Sequence, residues 1–238
     1  MPELGTPRYI DATRCGPYTC RSTDIGVVLD LMIHDLDLVL SLVPSDLLRV
    51  EALGMPVFGP HEDLAQARLT FADGCVVNLQ ASRVSPTAKR TMDVYFEAGF
   101  ARLDFAAKTA EIIRPSAAVA AGEVNVETLS LDEKNRLKDK LFDEYLPRTS
   151  LPVVDHNAIL EEQRNFIQAI RGEALPRVTG RDGRRAVDTA ARVLAAITAH
   201  SQTVMPPGWR LDPPREPLRG PHWSRSPQGV PAKKRRAS

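Results

Sequence analysis

Residues 26–43 read GVVLDLMIHDLDLVLSLV. With Ile25 in front, this apolar run is too long for a strand and long enough for about five helical turns. Its polar exceptions are ordered. Asp30, His34, Asp37 and Ser41 fall at i, i+4, i+7 and i+11, one narrow stripe along the helix, and only Asp35 stands off it. A solvent-facing helix is polar over half its circumference. This composition therefore predicts a helix buried nearly all round, with a slit of ionisable groups facing something wet. Buried Asp and His are costly without partners, so the stripe is expected to line a cleft.

Asp30 and His34 are spaced for a carboxylate–imidazole hydrogen bond. Such a bond fixes the tautomer, favours the protonated imidazole and leaves its second nitrogen for a substrate hydroxyl. That suits a group that takes a proton while a secondary alcohol is oxidised. The same spacing suits a satisfied core histidine without a catalytic role. A metal site of Asp30, His34 and Asp37 is a third reading, weakened because no fourth ligand is evident.

Outward from the helix the texture changes. Arg8–Cys15 reads as a first strand, closed by the turn Gly16-Pro17. From Leu47 to about Leu131 short β-rich runs follow one another: LLRVEALGMPV, LAQARLTF, CVVNLQAS, TMDVYFEA, FARLDF, TAEIIR and EVNVETLSL. Ala72-Asp73-Gly74 and Ala98-Gly99 stand where hairpin turns belong. Consecutive hairpins without intervening helices predict an antiparallel sheet. Asp132–Asp155 reads as irregular. Two helices are expected after it, Asn157–Gly172 and Gly183–Thr203, the second with Asp182 as N-cap. The fold class is α+β: a large, predominantly antiparallel open sheet with helices packed on one face.

The 238 residues carry a formal charge of +1 that is unevenly spread. Residues 205–238 hold eight Lys+Arg against two Asp+Glu, with eight prolines, which leaves 23 basic and 28 acidic residues before them. A tail so poor in aliphatic clusters is expected to be disordered, so the folded domain is placed at 1–204. Lys233, Lys234, Arg235 and Arg236 are read as a basic tip rather than a specific nucleic-acid site. No run is apolar enough for a membrane span, and the N-terminus has no signal-peptide pattern. Cys15, Cys20 and Cys75 show no zinc-like doublets, so reduced thiols in a cytoplasmic protein are expected. Arg83, Lys89 and Arg90 could hold a diphosphate or form a solvated loop. His61, His156 and His200 are read as surface or helix-end residues.

The block VVLDLMIHDLDLVLSLV resembles the D-x-x-x-H-x-x-D helix of the Gfo/Idh/MocA oxidoreductases, most of all its sugar-nucleotide members. EDLAQARLTFADGCVVNLQASR resembles that family's sheet strands, and LEEQRNFIQAIRGEALPRVTGRDGRRAVDTAARVLAAI its closing helix pair. The resemblance implies the substrate-binding and oligomerisation half of an NAD(P)-dependent sugar or sugar-nucleotide oxidoreductase. Asp30 and His34 match the family's catalytic helix pair. Arg21 matches a position where an arginine often approaches substrate, and Asp37 and Arg83 complete the candidate substrate-binding set. The sequence contains no G-x-G-x-x-G and no Glu-Lys-Pro, so no nicotinamide site of its own is expected. A separate Rossmann-domain partner would then be needed for activity. The alternative is a non-catalytic ligand-binding or dimerisation module.

Strand residues such as Leu69, Phe71, Val77, Leu79, Val94, Phe96, Leu103 and Phe105 suggest an apolar free sheet face, and with it a homodimer or tetramer.

Overall fold

The computed structural model describes residues 4–21, 24–154, 157–204 and 211. The expected disordered tail, its basic tip and His156 therefore lie outside the described residues, Leu211 excepted. Strand β1 spans Pro7–Cys15. A π-helical turn, Val28–Met32, runs into α1, Ile33–Leu42. The strands β2 (Leu47–Met55), β3 (Leu64–Phe71), β4 (Val76–Ser82), β5 (Lys89–Phe96), β6 (Gly99–Asp104) and β7 (Thr109–Ile113) follow. After these come α2 (Ala117–Ala120), α3 (Leu131–Asp139), a second π-helical turn (Leu141–Tyr145) and β8 (Arg148–Leu151). Helices α4 (Ala158–Ile170) and α5 (Gly180–Val204) complete the set.

All eight strands form one open sheet in the order β2-β3-β4-β1-β5-β6-β7-β8. Each neighbouring pair is antiparallel except β1 and β4, which run parallel. The exception follows from chain order. The chain leaves β1 through the helix, so the three-strand meander β2-β3-β4 can return alongside β1 in the same direction. The β3–β4 hairpin turns at Gly74, whose φ of +85° favours glycine, while Asp73 Oδ1 accepts from Cys75 N–H at 3.0 Å.

Strand alternation decides which face is buried. Ile10 and Ala12 of β1, Ala65, Ala67, Leu69 and Phe71 of β3, Val77, Leu79 and Ala81 of β4, and Met92 and Val94 of β5 share one side. They pack against Leu36, Val39 and Leu40 of α1 and Ala186, Ala190, Val193 and Ile197 of α5. Burying the larger of these, such as Ile10, Leu69, Phe71, Leu79 and Ile197, stabilises by about 1.5–3 kcal/mol each before conformational entropy is charged against it.

The opposite face is not apolar at the positions that suggested it. Leu69, Phe71, Val77, Leu79 and Val94 all point into the helix-covered core, and Phe96 and Leu103 pack at its margin. The strands differ in length and offset, so sequence runs that seem to mix parities fall into one parity once registered. The uncovered face instead carries a cross-strand row of Glu51, Arg68, Asn78, Asp11, Asp93, Arg102 and Glu111. Arg102 meets Asp93 in a two-bonded pair at 2.9 and 2.8 Å. At one end of that face Tyr9, Tyr95 and Phe100 form a tilted aromatic run with centroids 5.4 and 4.6 Å apart.

Three expectations about elements are corrected. EVNVETLSL is not a strand, and the eighth strand lies instead in the segment expected to be irregular. That segment also holds α3, announced by a capping box in which the Ser130 hydroxyl accepts from Glu133 N–H and the Glu133 carboxylate from Ser130 N–H. Asp182 does not cap α5 alone. Its carboxylate accepts from Thr179 N–H at 2.8 Å while the Thr179 hydroxyl accepts from Asp182 N–H at 3.3 Å, so the helix starts three residues earlier, at Gly180.

Candidate functional site

Because β1 and β4 are parallel, their last residues, Cys15 and Ser82, lie side by side. The starts of β3 and β5 join them, with Leu64 beside Ser82 and Lys89 beside Cys15. The loops at this sheet end are stitched together by backbone bonds: Gly16 N–H to Ser82 O at 2.9 Å, Ser85 N–H to Gly16 O at 3.1 Å and Arg83 N–H to Asp63 O at 3.0 Å. The polar-striped helix begins here.

Its first turn is held by Glu62. Val27 N–H donates to Glu62 O at 3.0 Å, and Val28 N–H donates to the Glu62 carboxylate at 3.1 Å. Burial pushes the Glu62 carboxyl above its ordinary pKa, against the pull of the Val28 amide. Gly26 makes this approach feasible, since a Cβ there would meet Glu62 Oε1 at 2.0 Å. Gly26→Ala is thus expected to drive the carboxylate off the helix start at a cost of about 1–3 kcal/mol. Urea unfolding of Gly26→Ala, Glu62→Ala and the double variant checks this. Strict additivity of the two losses would refute the contact as the cause.

Asp63, beside it, accepts from Val57 N–H at 2.6 Å and Phe58 N–H at 2.8 Å and forms an ion pair with Arg83. Arg83 also donates to Ile25 O at 3.0 Å, and its guanidinium lies 5.2 Å from the Tyr18 ring centroid. Arg83 is buried. Its guanidinium fastens the segment entering the helix, and Arg83 is not among the residues that line the recess described next.

Asp30, His34 and Asp37 line one open recess of about 460 Å³ with Leu31, Leu38, Arg14 and Arg90. The stripe read from sequence therefore faces a common cavity. The helix around it is not buried nearly all round. Leu29, Leu38 and Leu42 are exposed, as are His34 and Ser41, because the sheet covers only one side of the helix. Ser41 leaves the stripe and donates to Leu38 O at 2.7 Å within its own helix. Arg21 is exposed in the segment ahead of the helix and is not among the recess-lining residues.

Among the described residues no hydrogen bond joins Asp30 to His34. Asp30 sits in the π-helical turn and His34 in the regular helix after it. The i→i+5 bonding of a π turn widens the helix, so the i, i+4 alignment of a regular helix is not kept there. Nor do three or more His, Cys, Asp or Glu among the described residues converge as metal ligands.

Two residues of this site escaped the sequence reading. Arg14 Nε and Nη2 donate to the two carboxylate oxygens of Asp35 at 2.8 and 2.7 Å, and both side chains are about nine-tenths buried. Signals for them existed. Arg14 has the parity of the core residues Ile10 and Ala12, and Asp35 is the one charge off the stripe. An arginine and an aspartate each forced toward the core need one another.

The start of the helix after β1 does not fit a dinucleotide. Its pyrophosphate needs a glycine-rich turn and the open amides of a helix start. In the helix that follows β1, the Glu62 carboxylate already occupies that position. Among the described residues no helix is long and apolar enough to cross a membrane.

Residues 3–102 match the family model of the GFO/IDH/MocA C-terminal domain. UDP-N-acetylglucosamine 3-dehydrogenase from Acidithiobacillus ferrooxidans is 32% identical over 199 residues, covering 84% of this chain and 57% of that protein. A solved structure of that organism's enzyme superposes with a TM-score of 0.67 at 30% identity, covering 82% of this chain and 55% of the other. The chain thus spans little more than half the length of these relatives. The WlbA dehydrogenase of Bordetella pertussis, solved with NADH and UDP-GlcNAcA, shares the fold at a TM-score of 0.58 and 14% identity, over 82% of this chain and 55% of that one.

Proposed function

We propose that the chain, whose residues 3–102 match the model of the GFO/IDH/MocA C-terminal domain, is the substrate-binding half of an NAD(P)-dependent sugar or sugar-nucleotide oxidoreductase. The supporting observation is the recess itself, which gathers Asp30, His34 and Asp37 on one helix wall. In this reading a sugar ring lies over the helix with the reacting hydroxyl on the His34 imidazole. The imidazole takes the hydroxyl proton as the carbinol carbon is oxidised. Asp30 stabilises the imidazolium that results. Asp37 accepts from a second hydroxyl and so fixes the ring's orientation, and Arg21 approaches the substrate from the preceding segment.

In this reading the dinucleotide comes from a Rossmann domain, because the Glu62 carboxylate already takes the helix start after β1. Alone, the chain is inactive in this reading, and NAD is not distinguished from NADP. A homodimer or tetramer through the open sheet face is part of the proposal. The face offers the aromatic run and the charged row rather than an aliphatic patch, so association is expected to weaken with salt.

The test joins this chain to the Rossmann half of the Acidithiobacillus relative and follows conversion of UDP-N-acetylglucosamine. His34→Ala is expected to lower turnover by about 100-fold or more, and Asp30→Asn by less. Unchanged turnover in a folded His34→Ala variant would make the stripe structural only.

A further inference from the structure

Arg90 stands on the sheet wall of the recess, opposite the helix. The β1–β5 register sets it directly across from Arg14, at the same parity as the core residues Met92 and Val94. Phe105 N–H donates to the Arg90 carbonyl at 2.8 Å and pins the strand at this point. The two guanidiniums have different company. Arg14 is spent on Asp35, through Nε and Nη2 together. The Arg90 side chain has no ion pair or hydrogen bond among the described residues. Arg90 is exposed and lines the cavity as a cation beside a second cation; desolvation and Arg14 push its pKa down while the Asp35 carboxylate pulls it up. A cation in that position is stabilised by an anion arriving from the cavity.

The rest of the recess narrows what that anion can be. Asp30 and Asp37 on the facing wall accept from hydroxyls and repel negative charge. A ligand with hydroxyls along one edge and an acidic group on the other meets both walls in one orientation only. The planar fork of arginine matches a carboxylate or a phosphate, each through two bonds. We infer that Arg90 anchors an acidic group of the bound sugar, either a phosphate ester or a ring carboxylate, and so sets the ligand's direction over His34. The inference rests on the substrate reading above. Arg90 then selects charged sugars over neutral ones, and it is a specificity residue rather than a proton carrier.

The experiment titrates the full chain with glucose 1-phosphate, glucuronate and glucose, reading calorimetric affinity and the His34 imidazole signals by NMR. Wild type is expected to prefer at least one acidic sugar by about 10- to 100-fold, the scale of a hydrogen bond to a charged group. Whichever of the two is preferred identifies phosphate or carboxylate as the natural group. Arg90→Gln should abolish the preference, bringing the acidic sugars down to the affinity of glucose, and Arg90→Lys should keep part of it. A preference that survives in Arg90→Gln overturns the inference and leaves the substrate reading standing. So does equal binding of all three sugars by wild type with the His34 signals moved. If no sugar moves those signals, the substrate reading fails and this inference with it.

Discussion

Asp63→Ala is expected to lower the free energy of unfolding by about 3–5 kcal/mol, the usual cost of removing one partner from a buried ion pair. Asp63 is fully buried and serves three donors at once: Val57 N–H, Phe58 N–H and Arg83. Without it, two amides lose their acceptor and the Arg83 guanidinium stays buried without its carboxylate. The effect should reach the site, because Arg83 also holds Ile25 O ahead of the polar-striped helix. Asp63→Asn keeps an acceptor oxygen and should lose less.

The pH dependence has a definite sign. Burial alone would raise the Asp63 pKa, but the Phe58 and Val57 amides and Arg83 outweigh it and hold the carboxyl below its ordinary range. A carboxyl depressed in the folded state contributes stability above its unfolded pKa of about 3.9, and that contribution fades as pH falls through the lower folded value. The gap between wild type and Asp63→Ala should therefore be widest near neutrality and shrink in acid. Urea midpoints across that range decide it. A loss under about 1 kcal/mol at neutral pH, the scale of a surface pair, would sink the claim.

Asp35→Ala should cost a similar amount, about 3–5 kcal/mol, for a related reason. Both oxygens of Asp35 receive Arg14, and the pair closes the floor between the site helix and β1. Removing the carboxylate strands a guanidinium against the core, next to the Arg90 cation across the strand. The informative control replaces both partners. Arg14→Met with Asp35→Leu should restore much of the lost stability, since an apolar pair needs no desolvation of charge. If the double variant is as unstable as Asp35→Ala alone, lost packing rather than stranded charge is responsible.

Side-chain periodicity alone places the elements whose pattern is strong. GVVLDLMIHDLDLVLSLV could only be a helix with a polar stripe, and the strands at residues 64–71 and 76–82 alternate clearly enough to place their hairpin turn. The helix expected from Asn157 was also found, and the structure adds its cap: the Asn157 side chain accepts from Leu160 N–H at the start of α4. The capping box at Ser130 and Glu133 is equally local, but the residues before it alternate like a strand. Contacts between residues far apart in the chain emerge only in the folded molecule. These include Arg14 with Asp35, Glu62 beneath Gly26, Asp63 with Arg83, and the placement of Arg90 rather than Arg83 in the recess. Tertiary structure also turned Leu69, Phe71, Val77 and Leu79 inward together and left the charged row outside. Periodicity reports which side of its own element a residue takes. Strand registers and the parallel return of β4 beside β1 select the partner, because a buried charge is stable only where the fold brings its complement within hydrogen-bonding distance.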